Sequence, residues 1–420
     1  MSKMKLRPFA FAALAATLLL SACSSGNDKG AENSAQPSGS ANVEKVKIKF
    51  GYWGNDTVLK AYQYAVEGLD QELPGVEVEF VQYPSDSDFW DTLPSQIAAK
   101  AAPDIVNVTN ERYLEFISNE LFLELDPSKL EMTNVSQAAK DIWTVDGKLY
   151  GYPYTAAPAG FVINMDLWKQ AGLDENKLPS TWEEVKEAAQ ALTKDDVHGL
   201  VINIDSEFHL TQYALSFGGG WEEGAAIDSP ANAKAMDYII EMFKEGLAVS
   251  PKQLGQAWDG AAFAAGKAAM STGGIWYISN LQTAAPDMNY KIIPIPQVDP
   301  AAPSETMHSD AFVALKSTEH EEIVNRVINY MARKDFQQYA LENRGIIPSD
   351  TTISDQFYEI NPQTAQLKEA VPYSVSFGYP PRTQKFTNAL INAIGSAIYK
   401  NDSTMTGQDV VNMAKKDFEQ

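Results

Sequence analysis

Apolar positions along this chain switch repeatedly between a period of two and a period near 3.6. Val46, Ile48 and Phe50 alternate with lysines before Gly51-Tyr52-Trp53-Gly54, which predicts a strand running into a loop. Leu59, Tyr62, Ala65, Val66 and Leu69 then share one helical face, predicting a helix over Asp56 to Glu72 that Pro74-Gly75 stops. Val76 to Tyr83 reads as the next strand, and a helix follows through Ile97. Asp104 to Val108 is a third strand and Asn110 to Ser118 a short helix. Strands separated by helices imply parallel pairing in α/β layers. Ligands of such sheets gather beyond the carboxyl ends of the strands, here Trp53–Asp56, Tyr83–Asp88 and Thr109–Glu111.

A second unit repeats the alternation. Phe161 to Asn164 and Leu200 to Ile204 read as strands. Between them, Trp182 to Leu192 is a helix with Trp182, Val185, Ala189 and Leu192 on its core face and a capping box from Thr181 to Glu184. Helices are predicted over Phe208 to Phe217, Ala231 to Phe243 and Phe263 to Lys267, and a strand over Lys291 to Ile295. Pro294, Pro296, Pro300 and Pro303 mark a long connector before a strand at Ala311 to Leu315, and amphipathic helices finish the chain.

The start of the chain has a different character. Lys3, Lys5 and Arg7 precede an apolar run from Phe9 to Leu20, too short to span a bilayer of about 30 Å as a helix. A basic start, a short apolar stretch and small residues at its end predict a secretory signal over residues 1–22. Leu20-Ser21-Ala22-Cys23 resembles the bacterial lipobox and holds the chain's single cysteine, which predicts cleavage before Cys23 and lipidation of its thiol. From Ser24 to Asn42 there is no Val, Ile, Leu, Met or aromatic residue. Such a stretch cannot offset its ordering entropy, so residues 23–42 read as a flexible tether spanning on the order of 25 Å.

Composition narrows the function. The 420 residues carry a net charge of −22, which argues against nucleic acid and against broad docking on an anionic membrane surface. One cysteine excludes a disulfide framework, and four dispersed histidines give no metal spacing. His198, His209, His308 and His320 are expected at the surface or at helix ends. The sequence has no His-Glu-x-x-His stretch, Gly-x-Ser-x-Gly elbow or phosphate-binding Gly-x4-Gly-Lys loop. The Asp86, Asp88, Asp91 group fails the calcium-loop pattern, because Ile97 stands where its final Glu belongs. No metal, cofactor or catalytic residue is expected.

Five segments, in order, resemble one family: Gly147-Lys148-Leu149-Tyr150-Gly151-Tyr152-Pro153, Phe161-Val162-Ile163-Asn164-Met165-Asp166-Leu167, Pro179-Ser180-Thr181-Trp182-Glu183-Glu184, Phe263 to Met270 with Gly274-Ile275-Trp276, and Gly345-Ile346-Ile347-Pro348. The chain resembles the family 1 extracellular solute-binding proteins, the maltose-binding-protein-like group. The resemblance implies a two-lobed periplasmic-binding-protein-like α/β fold, each lobe a mostly parallel sheet flanked by helices, with the ligand cleft between them. It divides the chain into 43–154 with 309–349 and 155–308 with 350–420, with crossings near Tyr152–Ala157, Pro300–His308 and Pro348–Thr351. It further implies a monomer, lipid-anchored outside the cell membrane, that delivers a small molecule to the transmembrane subunits of an ABC importer.

Sugars present hydroxyl edges and weakly polar C–H faces, so their sites combine aromatic planes with carboxylates, amides or Arg. Trp53, Asn55 and Asp56 supply both at the first strand end, and Asn110 and Glu111 stand at the third. As core and cap residues instead, Trp53 would pack inward and Asp56 would only start a helix. In the second lobe the candidates are Glu207, Phe208, Trp221, Trp258 and Trp276, with Tyr379 and Arg382 further on. Trp90, Trp143, Trp168 and Trp182 read as core. A carbohydrate is the expected ligand. The alternatives are a cationic ligand such as a polyamine, a secreted lipoprotein glycoside hydrolase or lyase, and a lipoprotein that captures glycan without a transporter.

Overall fold

The computed structural model describes residues 45–400 and 404–420; the signal, Cys23 and the tether lie outside the described residues. Fifteen strands follow in chain order: β1 (Val46–Trp53), β2 (Val76–Tyr83), β3 (Ile105–Thr109), β4 (Thr144–Val145), β5 (Lys148–Leu149), β6 (Tyr152–Pro153), β7 (Ala157–Pro158) and β8 (Gly160–Asn164), then β9 (His198–Val201), β10 (Ala248–Val249), β11 (Ala268–Gly273), β12 (Tyr290–Ile293), β13 (Glu305–His308), β14 (Asp310–Ala314) and β15 (Ser374–Val375). They form two five-stranded sheets, ordered β2-β1-β3-β14-β6 and β10-β9-β11-β8-β12. A small sheet, β15-β13-β7, and the β4-β5 hairpin complete the pairing.

Each large sheet is mixed rather than mostly parallel, which corrects the expectation from alternation alone. β1 pairs parallel with β2 and β3, but β14 runs antiparallel to both β3 and β6. The second sheet repeats this, with β9 parallel to β10 and β11, and β8 antiparallel to β11 and β12. The reason is the route of the chain. β14 joins its sheet after the chain has visited the other one, so no local helical crossover sets its direction. The chain leaves the first sheet after β6, passes through β7 into β8, and returns from β12 through β13 into β14. β13 pairs antiparallel with β7 and parallel with β15, so the crossings are hydrogen-bonded to one another. Thr155 and Pro348 form a further bridge beside them.

Each sheet has its own core. Phe50, Tyr62, Phe312 and Phe336 are buried in the first; Phe161, Trp182, Tyr213 and Met236 in the second. Local chemistry sets most helix limits. Trp182–Leu192 starts in the predicted capping box, in which Thr181 Oγ1 accepts from the Glu184 N–H and the Glu184 carboxylate accepts from the Thr181 N–H. The predicted helix over Asp56 to Glu72 is instead two, Asp56–Ala65 and Leu69–Glu72, because Gly68 takes a φ of 78° between them. The helix expected at Phe263 to Lys267 lies earlier, at Asp259–Ala264, and Ala268–Gly273 is strand.

Candidate functional site

The carboxyl ends of β1 and β3 come together in the first lobe. After β1, Asn55 caps the helix Asp56–Ala65: its Oδ1 accepts from the Thr57 and Val58 N–H groups at 3.0 and 3.2 Å. Asp56 is exposed in the first turn of that helix, where a carboxylate complements the helix dipole. Trp53 is half-buried, its ring 5.0 Å from Phe89 and 6.4 Å from Trp90. After β3, Asn110 is 1% exposed, and both ends of its amide are occupied. Its Nδ2 donates to Met307 O and its Oδ1 accepts from Ser309 N–H, each at 2.9 Å. Asn110 therefore fastens the strand end to the returning crossing.

Glu111 and Arg112 follow Asn110 and remain half-buried. Glu111 Oε2 accepts from the Thr109 hydroxyl at 3.2 Å, and its Oε1 lies 3.7 Å from His308 Nδ1. The Arg112 guanidinium lies over Trp90, 5.6 Å from the ring centre, and 3.9 Å from carboxylate oxygens of Asp91 and Glu115. Arg112 Nε, Glu115 Oε2 and His308 Nδ1 are buried polar atoms without a hydrogen-bond partner in the protein. Orphans of this kind are rare in native proteins, because each forgoes a hydrogen bond it would make in water.

The second lobe brings rings to the same place. Glu207 and Phe208 open the helix Glu207–Ser216. Burial pushes the Glu207 carboxyl up; a hydrogen bond from its own backbone opposes this, Glu111 adds to it, and Thr387 and Arg112 pull it down. Glu111 lies 3.7 Å from His308, whose ring is 5.9 Å from Trp276, so the two walls are close here. Phe208 meets Trp276 edge to face at 5.1 Å. Trp276 also faces His308 at 5.9 Å, and Phe377 lies 6.1 Å from Phe208 and 6.4 Å from His308. Close approach explains the paired glycines before Trp276. A Cβ on Gly274 would lie 2.2 Å from the Trp276 ring, and one on Gly273 2.6 Å from Tyr277.

The other candidates divide. Trp258 is half-buried, edge-on to Tyr277 at 5.5 Å. Tyr379 is 1% exposed, stacked on Phe377 at 5.2 Å and hydrogen-bonded to Thr211, so it backs the wall. Trp221 is also 1% exposed; its indole N–H donates to Thr211 Oγ1 at 2.8 Å and its ring packs on Phe386, inside the second core. Arg382 is exposed over the Phe418 ring, at the start of the helix Thr383–Ile398. His209 stands at a helix start, as expected, but is buried at 4% exposure. The position of His308 is a correction: it ends β13 and sits between Glu111, Trp276 and Phe377. Sequence reasoning passed over His308 and Phe377 as site residues; for His308 the one available signal was its place at the end of the proline-rich crossing. A cavity of about 500 Å³ on the first lobe, lined by Tyr152, Arg326, Arg333, Lys334 and Asp350 among others, shares no residue with this cluster.

Two α/β lobes joined by strand crossings, with polar and aromatic side chains converging from both, define a cleft-type binding protein. The chain belongs to the bacterial extracellular solute-binding protein family, whose profile it matches over residues 63–370. Among curated relatives it is 23% identical to the maltodextrin-binding protein of Bacillus subtilis, over 98% of this chain and 97% of that one. Its fold is similar to that of a Listeria monocytogenes ABC substrate-binding protein in complex with cycloalternan, with a TM-score of 0.78, 18% identity and coverage of 90% and 98% of the two chains. It is likewise similar to a maltose-bound T. maritima protein, with a TM-score of 0.74, 19% identity and coverage of 89% and 99%.

Proposed function

We propose that this protein captures a carbohydrate, a mono- or oligosaccharide, between its lobes and delivers it to the transmembrane subunits of an ABC importer. The lobes are 43–154 with 309–349 and 155–308 with 350–420. The observation that carries this reading is the pairing of unsatisfied polar atoms at Arg112, Glu115 and His308 with the half-buried rings of Trp276 and Trp53. Hydroxyl edges meet the first set and C–H faces the second. Glu111 and Glu207 add acceptors for sugar hydroxyls. Asn55, Asn110, Trp221 and Arg382 have structural occupations and are not needed in this site; Asp56 borders it at most. Tyr379 supports Phe377 from behind. Trp258 extends the ring surface of the second lobe.

The names of relatives that bind maltodextrin, maltose and cycloalternan support a sugar. Cys23 would carry the lipid that holds the protein on the outer side of the cell membrane. Among the described residues no helix is long and apolar enough to cross a membrane. The test is a thermal-shift screen with maltotriose, mannotriose, a ketohexose and spermidine. A ligand that binds only the native state raises the melting temperature in proportion to RT ln(1 + [L]/Kd). A rise with a neutral sugar is expected. A rise with spermidine alone would overturn the carbohydrate reading and favour the carboxylates Glu111, Glu115 and Glu207 as cation receptors. Cys23→Ser should release the protein from the membrane fraction or leave it unprocessed; unchanged membrane recovery would refute the anchor.

A further inference from the structure

Three helices of the second lobe carry, at or beside their first residue, an aromatic residue followed by a polar one. The pairs are Phe208-His209, Trp258-Asp259 and Trp276-Tyr277, at the starts of Glu207–Ser216, Asp259–Ala264 and Trp276–Ala284. In each pair the second residue is buried, and the three buried members bond to one another. His209 Nε2 lies 3.0 Å from Asp259 Oδ1, and the Tyr277 hydroxyl donates to Asp259 Oδ2. Asn203 Nδ2 donates to Asp259 Oδ1 at 2.9 Å, so both carboxylate oxygens are occupied. The outer ends are tied to β11: His209 Nδ1 bonds Thr272 Oγ1 at 2.7 Å, and the Tyr277 hydroxyl bonds Ser271 Oγ at 2.9 Å.

This network is more than core filler. Replacing a buried charge network by apolar side chains is often neutral or stabilising, so stability alone does not account for this one, and an attested use of such groups is to fix one arrangement. Neighbouring residues at a helix start are held at a fixed angle to each other by the backbone. Locking His209, Asp259 and Tyr277 against a single carboxylate therefore sets the directions of Phe208, Trp258 and Trp276 together. Stacking on a sugar face needs that registration, because ring–face contact falls off over fractions of an ångström.

We propose that His209, Asp259 and Tyr277 are positioning residues that pre-organise the aromatic wall of the cleft before any ligand arrives. The proposal rests on the carbohydrate reading for its affinity consequence but not for its structural one. The test uses the protein labelled with 5-fluorotryptophan, with the Trp258 and Trp276 fluorine signals assigned from Trp258→Phe and Trp276→Phe. Tyr277→Phe keeps the ring and removes the hydroxyl with its bonds to Asp259 and Ser271; Asp259→Asn keeps the shape and removes the charge. Ile239→Ala, in the second core on the helix Pro230–Lys244, is the control for plain destabilisation. In ligand-free protein the two network variants should shift or broaden the Trp258 and Trp276 signals, and the control should not. Affinity for maltotriose or mannotriose, by calorimetry, should fall at least tenfold in the network variants and stay within twofold in the control. Unchanged fluorine signals together with a lowered melting temperature would overturn the proposal and leave the network as core. If the wild type binds neither sugar, the carbohydrate reading is what fails, and the ligand-free spectra still decide whether the wall is positioned this way.

Discussion

The two lobes share a sheet topology yet weight the proposed site differently, with Trp53 the ring of the first and Glu207 the carboxylate of the second. The first lobe supplies charge: Glu111, Arg112 and Glu115 follow the end of β3, with His308 arriving on the crossing. Arg112 Nε, Glu115 Oε2 and His308 Nδ1 there make no hydrogen bond within the protein. The second lobe supplies rings, and behind those rings the polar groups of His209, Asp259 and Tyr277 bond to one another. A wall that grips by hydrogen bonds must leave bonds unmade until the ligand comes. A wall that stacks must be stiff beforehand, so its polar atoms are spent on holding rings in place. On the proposed reading, closure of the two lobes would join a polar grip to a pre-set surface, which is the arrangement that a hinged binding protein needs.

The contrast can be broken most severely at Trp221. Fully buried and bonded to Thr211, it belongs to the second core, and Trp221→Ala should cost about 3–5 kcal/mol of folding stability, read as a drop in denaturation midpoint, without a separate loss of affinity in the folded protein. Trp276→Ala should do the reverse. A half-buried ring lost from the cleft should weaken sugar binding by about 1.5–3 kcal/mol, roughly tenfold to more than a hundredfold, while the ligand-free melting point moves little. If both variants lower stability and neither touches affinity, the division between core and wall is wrong.

Acid titration sharpens the comparison between the lobes. Burial alone would raise the Asp259 carboxyl, but the pull of His209 and the bonds from His209, Tyr277 and Asn203 prevail and hold it at about 2. A carboxyl depressed on folding stabilises the protein above its ordinary value and loses that contribution as pH falls through the folded one. Asp259→Asn should therefore flatten the fall in stability between about pH 4 and pH 2, by on the order of 2 kcal/mol. Glu207 acts with the other sign: raised by burial, it favours the folded state less as pH climbs above the usual carboxylate range. The smallest expected effect is at the first strand end. Asn55→Ala should cost about 1 kcal/mol through loss of its helix cap, measured by chemical denaturation, and Asp56→Ala only a few tenths.

Much of this was legible in the residues. The capping box at Thr181 and Glu184 and the start of the strand at Val46 depend on neighbours a few positions apart and were predictable from spacing, whereas the strand's continuation through Gly51 to Trp53 was not. Glu111, Phe208 and Trp276 could be named as candidates because strand ends and helix starts are where an α/β sheet meets its ligand. His308 was not, since its surroundings come from β3, the helix Trp276–Ala284 and the segment around Phe377, far apart along the chain. The direction of β14 escaped for the same reason, being set by a return from the other lobe.

Two tryptophans state the boundary most plainly. Trp221 follows Gly218-Gly219-Gly220 and Trp276 follows Gly273-Gly274 with one residue between, so a local reading treats them alike. The sequence by itself determined that each ring stands where the backbone turns and can be approached closely. Tertiary structure alone decided that Phe386 and Thr211 cover the first, while the second faces Phe208 and His308 at the meeting of the lobes. Periodicity and capping are short-range interactions written in consecutive residues, whereas burial depends on which distant segment arrives to exclude water, and that is settled only when the whole chain has packed.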